Sequence, residues 1–162
     1  MAQPNVPLNI PQRKTKGVIT LFGVEVVPFY KLDEVAPEGA PVKLSATADT
    51  VELVTAGAGD TVFGLTAQEV YDDVALGQLR GYSFHNDTRA AKGDTIGIIV
   101  GNGYIYTSNY VGAVAYGDNL YPAASGKLST TSVSGDAAVG VAEGSGTDGD
   151  MMIRVRVNFG VM

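Results

Sequence analysis

The 162-residue chain has no cysteine, no tryptophan and one histidine, and only 17% of its residues are charged. Without cysteine there is no disulfide scaffold and no thiolate metal site. One histidine, His85, argues strongly against a two-histidine metal site or a histidine-based triad. No run reaches the roughly 18 uncharged apolar residues of a membrane-spanning helix, so we expect no membrane partner. The chain does not begin with a basic stretch followed by an apolar core, so we expect no secretory signal and synthesis in the cytoplasm.

What the chain does contain is 21 glycines. Glycine at about twice its usual frequency, with few charges, indicates many turns and short strands. A chain of this length is the ordinary size of one domain and can bury a core without covalent staples. The net charge of −6 argues against nucleic acid as a partner, because affinity for phosphates comes from lysine and arginine.

Residues 1–16 differ from the rest, and we call them the arm. Three closely spaced prolines exclude a helix or a central strand, because proline lacks the amide donor. The arm has a charge of +3 and no acid, so residues 17–162 carry −9. It is either a frayed terminus or an extended segment that lies across a neighbouring subunit. Its candidate contact residues are the alternating apolar Val6, Leu8 and Ile10 and the basic Arg13, Lys14 and Lys16.

Residues 17–162 read as one all-β domain, a small antiparallel β-barrel or β-sandwich with at most one short helix. The run Val18–Val27 is apolar at nearly every position, which predicts a strand buried on both faces. The run Met151–Phe159 alternates apolar and polar residues, which predicts a half-buried antiparallel strand. Ala67–Gly77 is either a short helix or a loop. Further predicted strands are Val51–Val54, Thr61–Thr66, Leu79–Phe84, Thr95–Val100, Tyr104–Thr107, Val111–Ala115 and Ala137–Ala142.

The turn signals are uniform. A Gly-Asp pair precedes an apolar run five times, and the aspartate side chain can accept backbone amides of the turn that it closes. Residues 101–103 (Gly-Asn-Gly) predict a tight hairpin between two strands. The stretch 43–66 partly reappears at 127–142, which indicates either a strand–turn–strand unit used twice or chance similarity in a Gly-, Ala- and Thr-rich chain. The five pairs begin at Gly59, Gly93, Gly117, Gly135 and Gly149.

A search for catalytic or cofactor motifs finds little, and we predict a non-enzymatic protein without a cofactor or metal. Residues 144–149 spell a dinucleotide-binding fingerprint, but the residues that follow predict a strand where that motif needs a helix. The acidic groups fit solvated loops better than a calcium or acid-pair site, since their spacing is not that of a calcium-binding loop. The groups considered were Glu69, Asp72, Asp73, Asp148 and Asp150.

Tyrosines and arginines are the remaining candidates for binding. Tyr104, Tyr106 and Tyr110 cluster, and the first two share a face of a strand. Tyrosine is enriched at protein interfaces but also packs well within sheets, so both interpretations stay open. Arg154 and Arg156 on the outward side of the last strand are expected to pair with nearby acids or with an acidic partner.

The C-terminal part has a recognisable order of motifs. GD-x-LY at 117–121 is followed by SGKLSTT at 125–131, VGVA at 139–142 and GD-x-x-x-RVRV at 149–157. Over residues 111–158 this order resembles that of the head decoration, or capsid cement, proteins of tailed bacteriophages. The first 58 residues depart from the simplest members of that family.

The resemblance implies a β-rich virion protein on the outer capsid surface that clamps adjacent subunits of the major capsid protein. It also implies self-association, as a homotrimer or else a dimer. The alternative is a carbohydrate- or receptor-binding module of a phage fibre or tail, for which the tyrosines would form a platform. An enzyme using only carboxylates such as Asp72, Asp73 or Glu69 is the least favoured reading, because no suitable acid pair can be inferred.

Overall fold

The structure, a computed structural model, describes residues 16–72, 89–133 and 135–159. Within these ranges it is almost entirely β, so the predicted fold class is confirmed. The one helical element described is a single 3-10 turn, and no helix there is long and apolar enough to cross a membrane. The strands are β1 (Val18–Thr20), β2 (Val24–Leu32), β3 (Pro41–Leu44), β4 (Thr50–Leu53), β5 (Gly64–Thr66), β6 (Glu69–Tyr71), β7 (Arg89–Ala91), β8 (Thr95–Thr107), β9 (Ala113–Val114), β10 (Asn119–Ala123), β11 (Lys127–Ser129), β12 (Gly140–Ala142), β13 (Gly146–Thr147) and β14 (Ile153–Asn158), with the 3-10 turn at Ala124–Gly126.

Strand β8 organises the fold. It spans 13 residues, about 43 Å at the usual rise per residue. Its first half pairs with β2 and β5, and its second half pairs with β1 and β14, always antiparallel. Ile98 and Ile99 are both fully buried, although their side chains point to opposite faces of the strand. One strand therefore belongs to both halves of the molecule.

The N-terminal half closes into a five-stranded ring in the order β8, β2, β4, β3, β5. The ring closes because β5 pairs back to β8, with Leu65 opposite Ile99 and Thr66 opposite Ile98. The sheet is mixed and not wholly antiparallel as predicted, because β2 and β4 run parallel. One hydrophobic cluster, which includes Leu32, Val42 and Ile96, lies in this half.

The C-terminal half is a sheet in the order β1, β8, β14, β12, β10, β11. The predicted alternation of the last strand is confirmed: Ile153, Val155 and Val157 are buried, and the residues between them are exposed. The buried side chains join a second cluster with Leu120 and Leu128. The outward side of β14 is thereby free to carry polar and charged groups.

The hairpin predicted at residues 101–103 is wrong, because β8 runs through these residues without reversing. Asn102 and Gly103 keep their partners on β14, opposite Asn158 and Val157. Gly101 has φ +99°, which bends the strand. At Gly103 a Cβ atom would overlap the carbonyl oxygen of Phe22. The glycines thus serve a bend and a close backbone approach and not a turn.

The run Val18–Val27 is also not the strand buried on both faces that was predicted. A bend at residues 21–23 divides it into β1 and β2, which follow one another along β8. Phe22 is 73% exposed and Val26 is 46% exposed, and Phe29 beyond them is 66% exposed. On the side of β2 away from β8, β4 pairs only at Lys31 and Leu32, so the rest of that edge has no neighbouring strand among the described residues.

Three other predictions have mixed outcomes. Within the predicted helix at 67–77, residues 69–71 are strand β6, which pairs parallel with β7, so a helix there is wrong. The predicted strand Leu79–Phe84 lies outside the described residues, as does most of the arm. The loop at 144–149 leads into strand β14, as predicted.

The Gly-Asp turns use their carboxylates as predicted at two positions. Asp118 accepts the Ala115 N–H at 2.9 Å, and Asp150 accepts the Thr147 N–H at 2.9 Å. Asp118 is followed directly by a strand, whereas three residues separate Asp136 from β12. The aspartates therefore fix turns, and only some of them stand immediately before a strand.

The two similar stretches are not equivalent in strand pairing. In the first copy β3 pairs directly with β5, whereas in the second copy β11 and β12 lie on either side of β10. The two copies meet in space, because the Gly57 N–H donates to both carboxylate oxygens of Asp136 at 3.0 and 2.9 Å. This contact links the two halves of the molecule across 79 residues of chain.

Candidate interaction surface

The outward side of β8 and β14 brings together aromatic and basic side chains, and we call it the outer face. Tyr104 lies opposite Arg156 in the strand register, and Tyr106 lies opposite Arg154. Phe22, on the bend between β1 and β2, completes the surface. Because side chains alternate along a strand, the residues between these point into the core. The sequence therefore builds the outer face and the core from the same two strands.

Phe22 and Tyr104 form the aromatic part of the outer face. Their ring centroids are 5.1 Å apart and the rings are inclined at 46°. Phe22 is held there by its backbone, since its carbonyl accepts the Tyr104 N–H at 3.0 Å, and Gly23 turns the chain with φ +85°. Burying the rest of these rings against a partner would add about 25 cal/mol for each Å² removed from water.

The two arginines differ in their partners. The Arg154 Nε donates to Glu143 Oε2 at 3.1 Å, which confirms the pairing predicted for this residue. Arg156 has no ion pair or side-chain hydrogen bond with any residue that the structure describes. An unpaired guanidinium beside an aromatic ring can bind a carboxylate with two hydrogen bonds while it stacks on the ring.

A shallow depression of about 530 Å³ adjoins the outer face. Its lining includes Tyr104, Arg156, Asn102, Asn158 and Ala138, and more of the lining surface is apolar than polar. Such a lining suits a ligand that offers both apolar surface and hydrogen-bonding groups, such as a peptide segment.

Tyr110, the third of the predicted interface tyrosines, does not lie on the outer face. It is only 1% exposed, and its ring lies in the second hydrophobic cluster. Its hydroxyl donates to the Met151 carbonyl at 2.7 Å, and Asp150 Oδ1 is 3.3 Å away. Burial raises the pKa of the Tyr110 hydroxyl above its usual value, and the charge of Asp150 raises it further. The segment from β13 to β14 lies against this side chain, because Gly146, Asp150 and Met151 surround the hydroxyl.

Of the arm, the structure describes only Lys16, which is exposed. The predicted contact residues Val6, Leu8, Ile10, Arg13 and Lys14 lie outside the described residues. The chain is anchored directly after the arm. The Gly17 N–H donates to Ser108 Oγ at 2.8 Å, its carbonyl accepts the Ser108 N–H at 3.0 Å, and the Val18 N–H donates to Glu38 at 3.0 Å.

The acidic candidates have structural partners. Asp72 lies 3.7 Å from Lys92, and Asp148 accepts the Gly112 N–H at 2.6 Å. No three metal-ligating side chains come together among residues 16–72, 89–133 and 135–159. Asp73 and His85 lie outside these ranges.

Phe22 is the functional candidate that the sequence did not indicate, because an apolar run gives no sign of which residue leaves the core. The glycine after it was the available signal, since a glycine inside a strand pattern marks a bend or a close approach. The chain matches no protein-family model and no curated protein.

Proposed function

We propose that this protein is a non-enzymatic structural component of a virion that decorates a tailed-phage capsid. It clamps adjacent subunits of the major capsid protein through its outer face, and its arm lies across a neighbouring subunit. The observation that carries the proposal is the exposed Phe22 ring against the half-buried Tyr104 ring, with Arg156 opposite Tyr104 in the strand register. Aromatic residues and arginine are the types enriched at the energetic centres of protein interfaces. The proposed location is the outer capsid surface, after synthesis in the host cytoplasm.

The resemblance over residues 111–158 supports the same conclusion in a different way. Those residues form β9 to β14, and β14 supplies both arginines of the outer face. The Gly-Asp turns within the stretch fix the loops between these strands, as the Asp118 and Asp150 contacts illustrate. The motifs thus support a rigid sheet that presents the outer face.

Self-association increases the overall affinity for the capsid when each copy makes only a few contacts. A trimer or dimer engages several copies of the capsid protein at once, and linked sites bind far more tightly than single ones. The charges suit assembly of this kind, because the arm carries +3 and the remainder −9.

A carbohydrate- or receptor-binding module is the second candidate, and the depression beside Tyr104 favours it. Sugars bind through an aromatic ring and several hydrogen-bonding side chains, and Asn102 and Asn158 provide carboxamides there. A glycan array separates the two proposals. A specific hit that Tyr104→Ala abolishes supports the module, and a blank array together with capsid binding supports decoration.

Capsid binding is tested by cosedimentation with shells assembled from the major capsid protein encoded in the same genome. We expect saturable binding of the wild type and a loss of at least ten-fold in affinity for Arg156→Glu. Lys31→Glu is the matched control, because it makes the same charge change on β2, away from the outer face. Wild-type protein that stays in the supernatant, or equal effects of both variants, would refute capsid binding through the outer face.

A further inference from the structure

The edge of β2 that faces away from β8 has no strand partner along residues 24–26 among the residues that the structure describes. Ala67 donates its N–H to the Gly97 carbonyl at 2.9 Å, so the odd-numbered residues of β8 direct their backbone N–H and C=O groups toward β5 there. The even-numbered residues, which lie opposite Glu25 and Val27, then direct their backbone groups toward β2. Val24 and Val26 consequently direct their backbone N–H and C=O groups away from β8.

Nothing in the described part of the chain accepts or donates hydrogen bonds at these backbone groups. The next outward residue beyond the bulge, Lys31, is paired, because its N–H donates to the Asp49 carbonyl at 2.9 Å. The free edge is therefore short and bounded. It also carries apolar side chains, since Val26 is 46% exposed and Phe29 is 66% exposed. An unpaired edge with apolar side chains is a template for an added strand.

The sequence of the arm matches this template in its alternation. In a strand, every second residue directs its backbone groups to the same side, so Val6, Leu8 and Ile10 would all present theirs to one neighbour. Pro7 and Pro11 have the opposite parity, and their missing N–H groups would then face solvent. Proline is tolerated on edge strands in that orientation.

The side chains match as well as the backbone. Residues directly opposite in an antiparallel pair have their side chains on the same face of the sheet. An arm strand with Leu8 opposite Val26 and Ile10 opposite Val24 would place apolar groups against apolar groups. Contacts of this kind offset the entropy lost when an extended segment becomes ordered.

We propose that the edge of β2 at Val24–Val26 accepts residues 6–10 of a second copy of this chain as an added antiparallel strand. Each copy donates one arm and accepts one, so reciprocal exchange gives a dimer and cyclic exchange a trimer. The exchange needs no capsid, and its failure would leave the capsid-binding proposal untouched.

The direction of the chain at the end of the arm favours a second copy over the same copy. Gly17 continues the pairing of β1 past Thr107 to Ser108, so the described chain at Gly17 runs along the line of β1 with its N-terminal end directed away from β2. In the proposed register Ile10 lies opposite Val24, about 20 Å from Val18 along β8, and residues 11–16 span at most about 22 Å when fully extended. An arm of the same copy would therefore have to be almost fully extended and also reverse its direction before Gly17.

The first test uses two proline variants of the full chain, at neighbouring positions of the arm. Leu8→Pro removes an N–H that faces the template, and Asn9→Pro removes one that faces solvent. By sedimentation equilibrium without capsids, we expect a concentration-dependent oligomer for the wild type and for Asn9→Pro. Leu8→Pro should associate about ten-fold more weakly, because a backbone hydrogen bond and an apolar contact are lost. A monomeric wild type, or equal weakening by both variants, would overturn the proposal.

The second test uses the absence of cysteine from the chain. Oxidation of a Leu8→Cys/Val26→Cys double variant should give disulfide-linked dimers or trimers on non-reducing gels, because hydrogen-bonded antiparallel pairs hold their Cα atoms about 5.5 Å apart, within the range that a disulfide spans. Asn9→Cys/Val26→Cys is the matched control, and it should cross-link far less because residue 9 faces the other side. Only intramolecular cross-links would show that the arm binds its own chain, and no preference between the two variants would exclude the pairing. Either result contradicts exchange between copies.

Discussion

Replacing Tyr110 by phenylalanine tests whether this residue belongs to the core, as the structure has it, or to an interface. The substitution keeps the ring, which is 1% exposed, and removes only the hydroxyl that donates to the Met151 carbonyl at 2.7 Å. The backbone of Gly146 packs closely against that hydroxyl, so the wild-type site is filled. The variant therefore isolates one buried hydrogen bond with little change in packing.

The expected loss in the free energy of unfolding is about 1–1.5 kcal/mol. A buried hydrogen bond contributes roughly 0.5–1.5 kcal/mol net, and the Met151 carbonyl that loses its donor moves the loss toward the upper part of that range. For a chain of this length, 1 kcal/mol corresponds to a fall in Tm of about 2–4 °C. The expected fall is thus about 2–6 °C.

The difference in the free energy of unfolding between the wild type and Tyr110→Phe should become smaller at alkaline pH. The pKa of Tyr110 is raised in the folded state, chiefly by burial and further by Asp150, so the folded protein holds this proton more tightly than the unfolded chain. The stabilisation is then present in full below about pH 10, the ordinary tyrosine value, and declines as the pH rises through the folded pKa. The wild type should lose stability above pH 10 more steeply than Tyr110→Phe.

Urea unfolding followed by circular dichroism at pH 7 and at several values above pH 9 measures both effects. Tyr116→Phe is the matched control, because Tyr116 is 71% exposed and its hydroxyl has no protein partner among the described residues. It should unfold like the wild type at neutral pH. If Tyr110→Phe is as stable as the control, or if the difference does not change with pH, the reasoning about this residue is wrong.

Two further predictions concern the contacts that hold the sheets together. A Cβ atom at Gly140 would lie 2.5 Å from the Arg156 carbonyl oxygen, so Gly140→Ala must displace the β12–β14 pairing. In urea titrations it should lower the free energy of unfolding by about 1–3 kcal/mol. Unchanged stability would contradict the close approach of the two backbones. Asp136→Ala removes both acceptors of the Gly57 N–H and should lower the free energy of unfolding by about 1 kcal/mol. Asp136→Asn keeps one oxygen and should lower it by less. An equal decrease for both variants would contradict this ordering.

The parts of the fold that follow from local patterns could be predicted from the sequence. The alternation of apolar and polar residues in β14 predicts which of its faces is buried, because successive side chains point to opposite faces and only one face packs on the core. The turn at Asp118 is equally local, since its side chain bonds an amide only three residues away.

Long-range contacts decided the parts that could not be predicted. The sequence of residues 101–103 is typical of a hairpin, but their glycines allow the backbone of Phe22 and Gly23 to approach closely. No residue near them in the sequence indicates this contact. The connection of the two halves through Gly57 and Asp136 is distant in the same way.

Only the part of the candidate surface that follows from local alternation could be predicted from the sequence. Tyr104 and Tyr106 share an outward face, as alternation indicates, and Tyr106 is 37% exposed. Tyr110 lies just beyond the strand, where alternation no longer applies, and residues 146–151, distant in sequence, pack against its hydroxyl. Apolar runs such as Val18–Val27 look alike whether they face a core or a partner, so the exposed side of β2 had to be learned from the sheet order.

The proposal that the outer face binds a capsid is tested most directly by hydroxyl-radical footprinting of the protein, free and bound to shells of the major capsid protein from the same genome. Oxidation of Phe22 and Tyr104 should fall several-fold on the shell, while Tyr116, which lies on the loop between β9 and β10, serves as the internal reference. Phe22 and Tyr104 that oxidise equally fast in the free and bound protein would contradict the account.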